Sequence, residues 1–369
     1  MTGQVLQPQG PEQTPQPTGS ASAHHRWVPV AVSLGVAAFA ALFAFTDLKE
    51  IARVITRADP WLLLIPLVLT VASYLVMALS YQGIAQAAEA YVPFGEMLKI
   101  TFVANTANYL VSTGGLSGFA LRLYFFTQRA IPSGTAVVIS LAQTFLTNVT
   151  LLGFVLFGFA YLLASGSLHG WALVTTVVLL VFFSAAAIVA LLLLFHRRLR
   201  RRTLFVLANS AHWLLHRFVP ERKPGRMRIW RFQRNLNRGI EFMLARKRHM
   251  ALPAFYIFID WVVTLGILYG AFLALHYPIP FTFVVVGFAV GTILALVSFI
   301  PGGLGVMEGS MVAIFVSLAV PLETAVVAVL IFRAAYYLLP LIISLFFFHG
   351  MFLQGTHIRP ELRDVELPG

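Results

Sequence analysis

An apolar run over 281–299 is cut by Ile300-Pro301-Gly302-Gly303-Leu304-Gly305-Val306-Met307-Glu308-Gly309 before apolar character resumes over 310–320. Proline and glycine together stop a helix there, which frees backbone N–H and C=O groups from their helical partners. In a hydrocarbon layer such groups persist only where protein or a water-filled cavity shields them. Glu308 beside the break is costly at that depth unless it is paired or solvated. A broken helix with a charge at the break is the sequence pattern of many transporter binding sites. A chain built around this feature cannot be an ordinary soluble domain.

The composition agrees. Of 369 residues, 59% are hydrophobic and 11% charged, against roughly 25% charged in soluble domains. Several runs approach the ~20 residues a spanning helix needs. There is no cysteine, which excludes disulfides, thiolate metal sites and cysteine nucleophiles. The net charge of +12 is concentrated in one place: segment 196–250 holds sixteen Lys/Arg against Glu221 and Glu241, leaving ten Lys/Arg and twelve Asp/Glu elsewhere. A basic loop of this kind marks the cytoplasmic side and suits contact with anionic lipid headgroups. It contains no nucleic-acid module.

In chain order, 1–23 is rich in Gln, Pro, Gly, Ser and Thr and reads as a disordered cytoplasmic tail. An uncleaved first span follows over 27–45, then a short amphipathic piece over 48–57. Asp59-Pro60 opens the next span, 61–88, with Asp as cap and Pro in the first turn. Residues 94–112 form an apolar arm that ends at Thr113-Gly114-Gly115-Leu116-Ser117-Gly118, with a short helix over 119–129 behind it. Spans over 132–163 and 171–195 complete a first membrane half, 24–195, whose repeat unit is 61–163. The basic loop 196–250 carries interfacial helices. The second half, 251–348, spans over 252–275 and 321–348 on either side of the broken 281–320 unit, and 349–369 is a cytoplasmic tail.

The two breaks occupy matched surroundings. Pro93-Phe94 and Pro280-Phe281 open the two arms, Gly114-Gly115-Leu116 answers Gly302-Gly303-Leu304, and Ile131-Pro132 answers Val320-Pro321. Throughout, the offset stays at about 188 residues, the signature of an internal repeat. With Arg26 and the basic loop both cytoplasmic, the spans between them must be even in number. Segment 94–130 is then a re-entrant hairpin from the cytoplasmic face, and 281–320 one from outside. The predicted fold is an all-α polytopic integral membrane protein: about six spans plus two Gly/Pro-broken re-entrant hairpins forming an inverted-topology repeat.

Candidate substrate-binding residues follow from this plan. Arg122 and Glu308 lie just beyond their breaks at near-equivalent positions, which suggests that they face one cavity and pair there. A substrate site and a purely structural ion pair both fit. Gly114, Gly115, Gly302 and Gly303 would expose backbone polar groups to substrate. Arg333, on one face with Tyr336, Tyr337 and Pro340 of the last span, is a phosphate ligand or a snorkelling residue. Asp260 is a cation or proton site, or caps a water pocket. Asn105, Asn108, Gln143 and Asn148 read as helix–helix glue, as do the small-residue pairs Gly266/Gly270, Gly287/Gly291 and Gly305/Gly309. His212 and His216 have metal spacing but sit among arginines, so no metal or other cofactor is expected. No Walker A, GxSxG or HExxH sequence is present, so the chain is expected not to be an enzyme.

At Pro301-Gly302-Gly303-Leu304-Gly305-Val306-Met307-Glu308-Gly309, at Arg333-Ala334-Ala335-Tyr336-Tyr337-Leu338-Leu339-Pro340, and at Gly114-Gly115-Leu116-Ser117-Gly118 with Arg122, the chain resembles the lysylphosphatidylglycerol synthase transmembrane-region family. That family includes the flippase domain of multiple peptide resistance factors. Many relatives carry Gly-Glu where this chain has Gly118-Phe119, and a Glu-Arg pair near Ala142-Gln143-Thr144. The resemblance implies movement of a phospholipid, aminoacylated or not, or of a lipid-linked molecule between leaflets of a bacterial cell membrane. It implies no synthesis by this chain, which ends at Gly369 without a soluble synthase domain. A homo-oligomer or a separate synthase remains open as partner. The alternative function is a non-transporting scaffold or regulator of an envelope lipid or glycan enzyme, acting through the basic loop.

Overall fold

The computed structural model describes residues 48–56, 58–110, 116–164, 245–298, 300 and 303–355, with isolated positions over 166–192 and at 241–242. The expected tails, the 27–45 span, most of 171–195 and most of the basic loop lie outside the described residues. Ten α-helices run through the described residues: α1 (Leu48–Thr56), α2 (Leu64–Ala87), α3 (Phe94–Leu110), α4 (Leu116–Gln128), α5 (Ser133–Ala164), α6 (Lys247–Ala274), α7 (Phe281–Ser298), α8 (Val306–Ser317), α9 (Leu322–Arg333) and α10 (Leu339–Gly355). A π-helical turn, Ala334–Leu338, joins α9 to α10.

The protein is an all-α, multi-pass membrane protein. Among the described residues four helical stretches are long and apolar enough to cross a bilayer, namely Leu64–Ala87, Ser133–Tyr161, Arg248–Ala274 and Leu322–Phe347. They fall on four of the six spans expected from the sequence. The Asp59 carboxylate accepts the Trp61 N–H at 2.8 Å as a cap would, but the chain passes through a turn before α2 begins at Leu64. The helix α6 starts ahead of the expected 252, at Lys247, and carries Pro253 in its second turn.

Both halves repeat one order: long helix, antiparallel helical pair, long helix. The equivalent helices α2 and α6 pack along their lengths, and their contacts run in opposite senses. Gly270 meets Pro66, Ser73 bonds Asp260, and Ser80 meets the Pro253 carbonyl. As one residue number rises the other falls, so the equivalent helices are antiparallel, the relation an inverted repeat requires. Ser73 and Asp260 are themselves equivalent positions, which puts the axis relating the helices at this contact.

The turns repeat as closely as the helices. Among the described residues four non-glycine positions have positive φ, and they form two repeat pairs: Glu89 (58°) with His276 (53°), and Ala130 (58°) with Ala319 (64°). Each ends its helix with the same pattern, in which the next residue's N–H reaches back five positions. Ala90 bonds Ala85 and Tyr277 bonds Phe272; Ile131 bonds Phe126 and Val320 bonds Phe315. This is the left-handed helix cap that usually selects glycine. An alanine there is strained by about 1–2 kcal/mol, part of which the flexibility of unfolded glycine offsets. Ala319→Gly is therefore expected to stabilise the protein by about 0.5–1 kcal/mol, read as a raised unfolding temperature in detergent.

The helical pairs close in different ways. In α3–α4, Asn108 Oδ1 accepts the Gly118 N–H at 2.7 Å, and the Ser117 hydroxyl donates to the Ala107 carbonyl at 3.0 Å. At the open end of this pair Glu96 bridges Lys99 (2.8 Å) and Arg129. In α7–α8 the closure is apolar: Gly287 lies under Phe315 and Gly291 under Met311, the small-residue packing expected of that spacing. The pairs open at opposite ends of the bundle. Near the base of α3–α4, Arg246 bonds the Ala87 carbonyl and Glu89. At the other end Asp59 N–H bonds the Ala274 carbonyl at 2.9 Å. There the amphipathic α1 packs on α9 through Val54, leaving Arg53 and Ile55 exposed. Each pair's first arm crosses to the last helix of the other half, α3 onto α10 and α7 onto α5.

Candidate functional site

The break between α7 and α8 is held by two left-handed glycines, Gly303 (φ 62°) and Gly305 (φ 78°). A Cβ on Gly303 would lie 2.5 Å from the Ala295 Cβ, so backbone and space both demand glycine. The helix α8 restarts at Val306, which makes Glu308 its third residue. A carboxylate in a first turn faces the positive end of the helix dipole. That favours Glu308 here although it is 1% exposed.

Arg333 closes the site from the end of α9. Its Nε lies 2.6 Å from Glu308 Oε1, with side chains 10% and 2% exposed. Arg333 Nη2 reaches the Gly303 carbonyl at 3.4 Å, and its guanidinium stacks 4.2 Å from the centre of the Tyr337 ring. The π-helical turn begins directly after Arg333. Pro340, with no N–H, cannot supply the bond to Tyr336 that a continuing α-helix would need, and the wider turn accommodates the break. Below it, the Thr106 and Ser344 hydroxyls meet at 2.7 Å and Ser344 donates to the Phe102 carbonyl at 3.0 Å, fixing α3 against α10.

Glu308 keeps one oxygen in reserve: buried Oε2 has no hydrogen-bond partner among the described residues. Leaving a charged acceptor buried and unbonded costs more than the 1–3 kcal/mol of a neutral one. The site thus presents a carboxylate oxygen to any donor that can reach the break.

Arg122 does not share this site in the way its repeat position suggests. Glu308 takes Arg333 as its partner. Arg122, 4% exposed, donates from Nη1 to the Tyr81 hydroxyl and, at 3.2 Å, to Asn105 Oδ1. Its guanidinium sits 5.0 Å from the Tyr81 ring centre, so each half stacks a buried arginine on a tyrosine. Asp260, 7% exposed, accepts the Ser73 hydroxyl at 2.5 Å. Ser73, Met77 and Tyr81 form one stripe of α2 that touches Asp260, Asn105 and Arg122 in turn. Gly303 belongs to the Arg333 site through its carbonyl. Gly114, Gly115 and Gly302 lie outside the described residues. No three His, Cys, Asp or Glu side chains converge for a metal among the described residues.

Sequence reasoning did not single out Tyr81 or Ser73. The available signal was the spacing Ser73-x3-Met77-x3-Tyr81, which places a hydroxyl, a thioether and a phenol on one face of a largely apolar helix.

Comparison with known proteins adds a family. The description "Lysylphosphatidylglycerol synthase TM region" matches residues 26–344. A phosphatidylglycerol lysyltransferase of Staphylococcus haemolyticus (strain JCSC1435) is 37% identical over 86 residues, 23% of this chain and 10% of that protein. A phosphatidylglycerol lysyltransferase of Staphylococcus aureus (strain MRSA252) is 32% identical over 87 residues, 24% of this chain and 10% of that protein. The matched stretch thus spans a tenth of each relative's length.

Proposed function

The chain belongs to the lysylphosphatidylglycerol synthase transmembrane-region family, and from this premise we propose that it moves a phospholipid or lipid-linked molecule between membrane leaflets. The observation that carries the reading is Glu308: a carboxylate 1% exposed, at a backbone break, with one oxygen unpartnered among the described residues. In this reading α3–α4 and α7–α8 are re-entrant hairpins whose tips meet the headgroup while the acyl tails stay in lipid. Arg333 at one break and Arg122 behind the other each meet phosphate oxygens at their own site, for which a guanidinium offers paired donors. Glu308 and Asp260 meet ammonium or hydroxyl groups. The first half, 24–195, and the second, 251–348, act as two gates of a bacterial plasma-membrane transporter with cytoplasmic termini, and the 196–250 loop rests on anionic lipid. No chemical step is assigned to this chain.

A phospholipid bearing a photoreactive group on its headgroup tests the reading in reconstituted protein. Labelling is expected in the peptides that carry 303–308 and 333–337. Labelling confined to outward-facing positions such as Val68 and Phe346, 64% and 75% exposed, would refute the headgroup site and favour a scaffold.

A further inference from the structure

We propose that Arg122, Tyr81, Asn105 and Ser140 form a second, separate site that binds an oxyanion, the phosphodiester of a lipid headgroup or free phosphate. This site rests on the lipid reading for its biological ligand but not for its chemistry.

A buried arginine normally has an acid beside it, because an unpaired charge in an apolar interior is costly. Arg122 is 4% exposed, and its partners among the described residues are a phenol and a carboxamide oxygen, both neutral. Its Nε has no partner there at all. Asp260, the buried acid on the same stripe of α2, is engaged by Ser73, eight residues or about 12 Å along the axis from Tyr81. Glu308 is engaged by Arg333. Among the described residues, the Arg122 guanidinium therefore has no acid in direct contact with it.

Ser140 supplies the second observation. Its side chain is 0% exposed and its hydroxyl has no partner among the described residues. Several other buried hydroxyls find partners: Thr70 and Thr101 turn back to the carbonyl four residues earlier, and Ser73, Ser80, Thr106 and Ser344 bond groups on other helices. Ser140 does not. Helices α4 and α5 are joined by the turn at 129–132 and pack antiparallel, which brings position 140 to the level of Arg122. An independent contact agrees: Gln143, one turn from Ser140, meets Ser80 at 2.9 Å, and Ser80 adjoins the Tyr81 that holds Arg122.

The unused groups are a guanidinium N–H and a hydroxyl, with no acid among them. Such a set selects an anion and repels an ammonium. A guanidinium N–H beside a hydroxyl suits two oxygens of a tetrahedral oxyanion. The cluster lies toward the end of the bundle where Arg246 and Arg129 sit, opposite the mouth of α7–α8, so it would meet a ligand from the α3–α4 side.

Ser140→Ala is the informative variant, since it removes a hydroxyl that bonds nothing in the described protein. Phosphatidylglycerol, diacylglycerol and inorganic phosphate are titrated into purified protein in detergent, with native mass spectrometry and thermal shift as readouts. Ser140→Ala is expected to weaken phosphatidylglycerol binding about three- to ten-fold, the worth of one hydrogen bond, while leaving the unliganded unfolding temperature unchanged or raised. Arg122→Lys, which keeps the charge and loses the fork, is expected to weaken it further, and diacylglycerol is expected not to bind there. Inorganic phosphate that binds with the same Ser140 dependence assigns a free oxyanion; a Ser140 effect confined to phosphatidylglycerol assigns the lipid. Affinities for both within two-fold of wild type in folded Ser140→Ala and Arg122→Lys protein would overturn the proposal. Binding is read here at equilibrium, so this outcome is independent of whether headgroups label the Glu308 break.

Discussion

Glu308→Ala is expected to lower fold stability by about 3–5 kcal/mol, the usual result of removing one member of a buried ion pair. The pair is nearly sealed, with side chains 10% and 2% exposed. Removing the carboxylate leaves the Arg333 guanidinium buried beside the Gly303 carbonyl and the Tyr337 ring. Arg333→Ala strands Glu308 instead and is expected to cost a similar amount. Replacing both by glutamine removes the charges together and is expected to restore more than half of the loss. Thermal unfolding of the three variants in one detergent checks the cycle. Additive losses would mean that the two residues do not act as a pair.

The other large effect is steric. A Cβ on Gly118 would lie 2.2 Å from the Ala104 carbonyl oxygen and 2.6 Å from the Asn108 side chain. The carbonyl belongs to helix α3 and cannot step aside without bending it, and Asn108 would also lose its bond to the Gly118 N–H. Gly118→Ala is expected to cost about 3 kcal/mol or more and to part α3 from α4. Gly134→Ala, where an added Cβ meets nothing within 4 Å, is the matched control and should stay within about 0.5 kcal/mol of wild type. Monodispersity on size exclusion and unfolding temperature distinguish the two. Equal behaviour would place α3 and α4 further apart than described.

The fold class was legible because hydrocarbon imposes it: long apolar runs and two Gly/Pro breaks leave few alternatives to helices crossing a membrane. The repeat was legible from the offset of its breaks and prolines. Its strongest marks were hidden, since the equivalent left-handed caps fall on Glu89, Ala130, His276 and Ala319, none of which is the glycine that would announce such a cap. The identity of Glu308 as a charge at membrane depth could also be read from the chain, whereas Arg333 read equally as a phosphate ligand or a snorkelling residue. Their pairing could not. Repeat position put Arg122 opposite Glu308, but periodicity fixes only which face a residue occupies, not which neighbouring helix that face meets. The π-helical turn after Arg333 shifts the register further, and no sequence period describes it. Ser140 was invisible for a plainer reason: a serine in an apolar helix is ordinarily bonded to its own backbone, and only the structure reveals that this one is not.

The central claim is that the polar groups at the two helical breaks carry a lipid headgroup across the bilayer. Leaflet exchange of fluorescent phospholipids of several headgroups, in liposomes holding wild-type protein or the Glu308→Gln/Arg333→Gln variant at equal folded amounts, tests it most directly. Exchange of at least one headgroup class by the wild type, abolished in the variant, is the predicted result. No exchange with any headgroup, or equal exchange by both proteins, would contradict it.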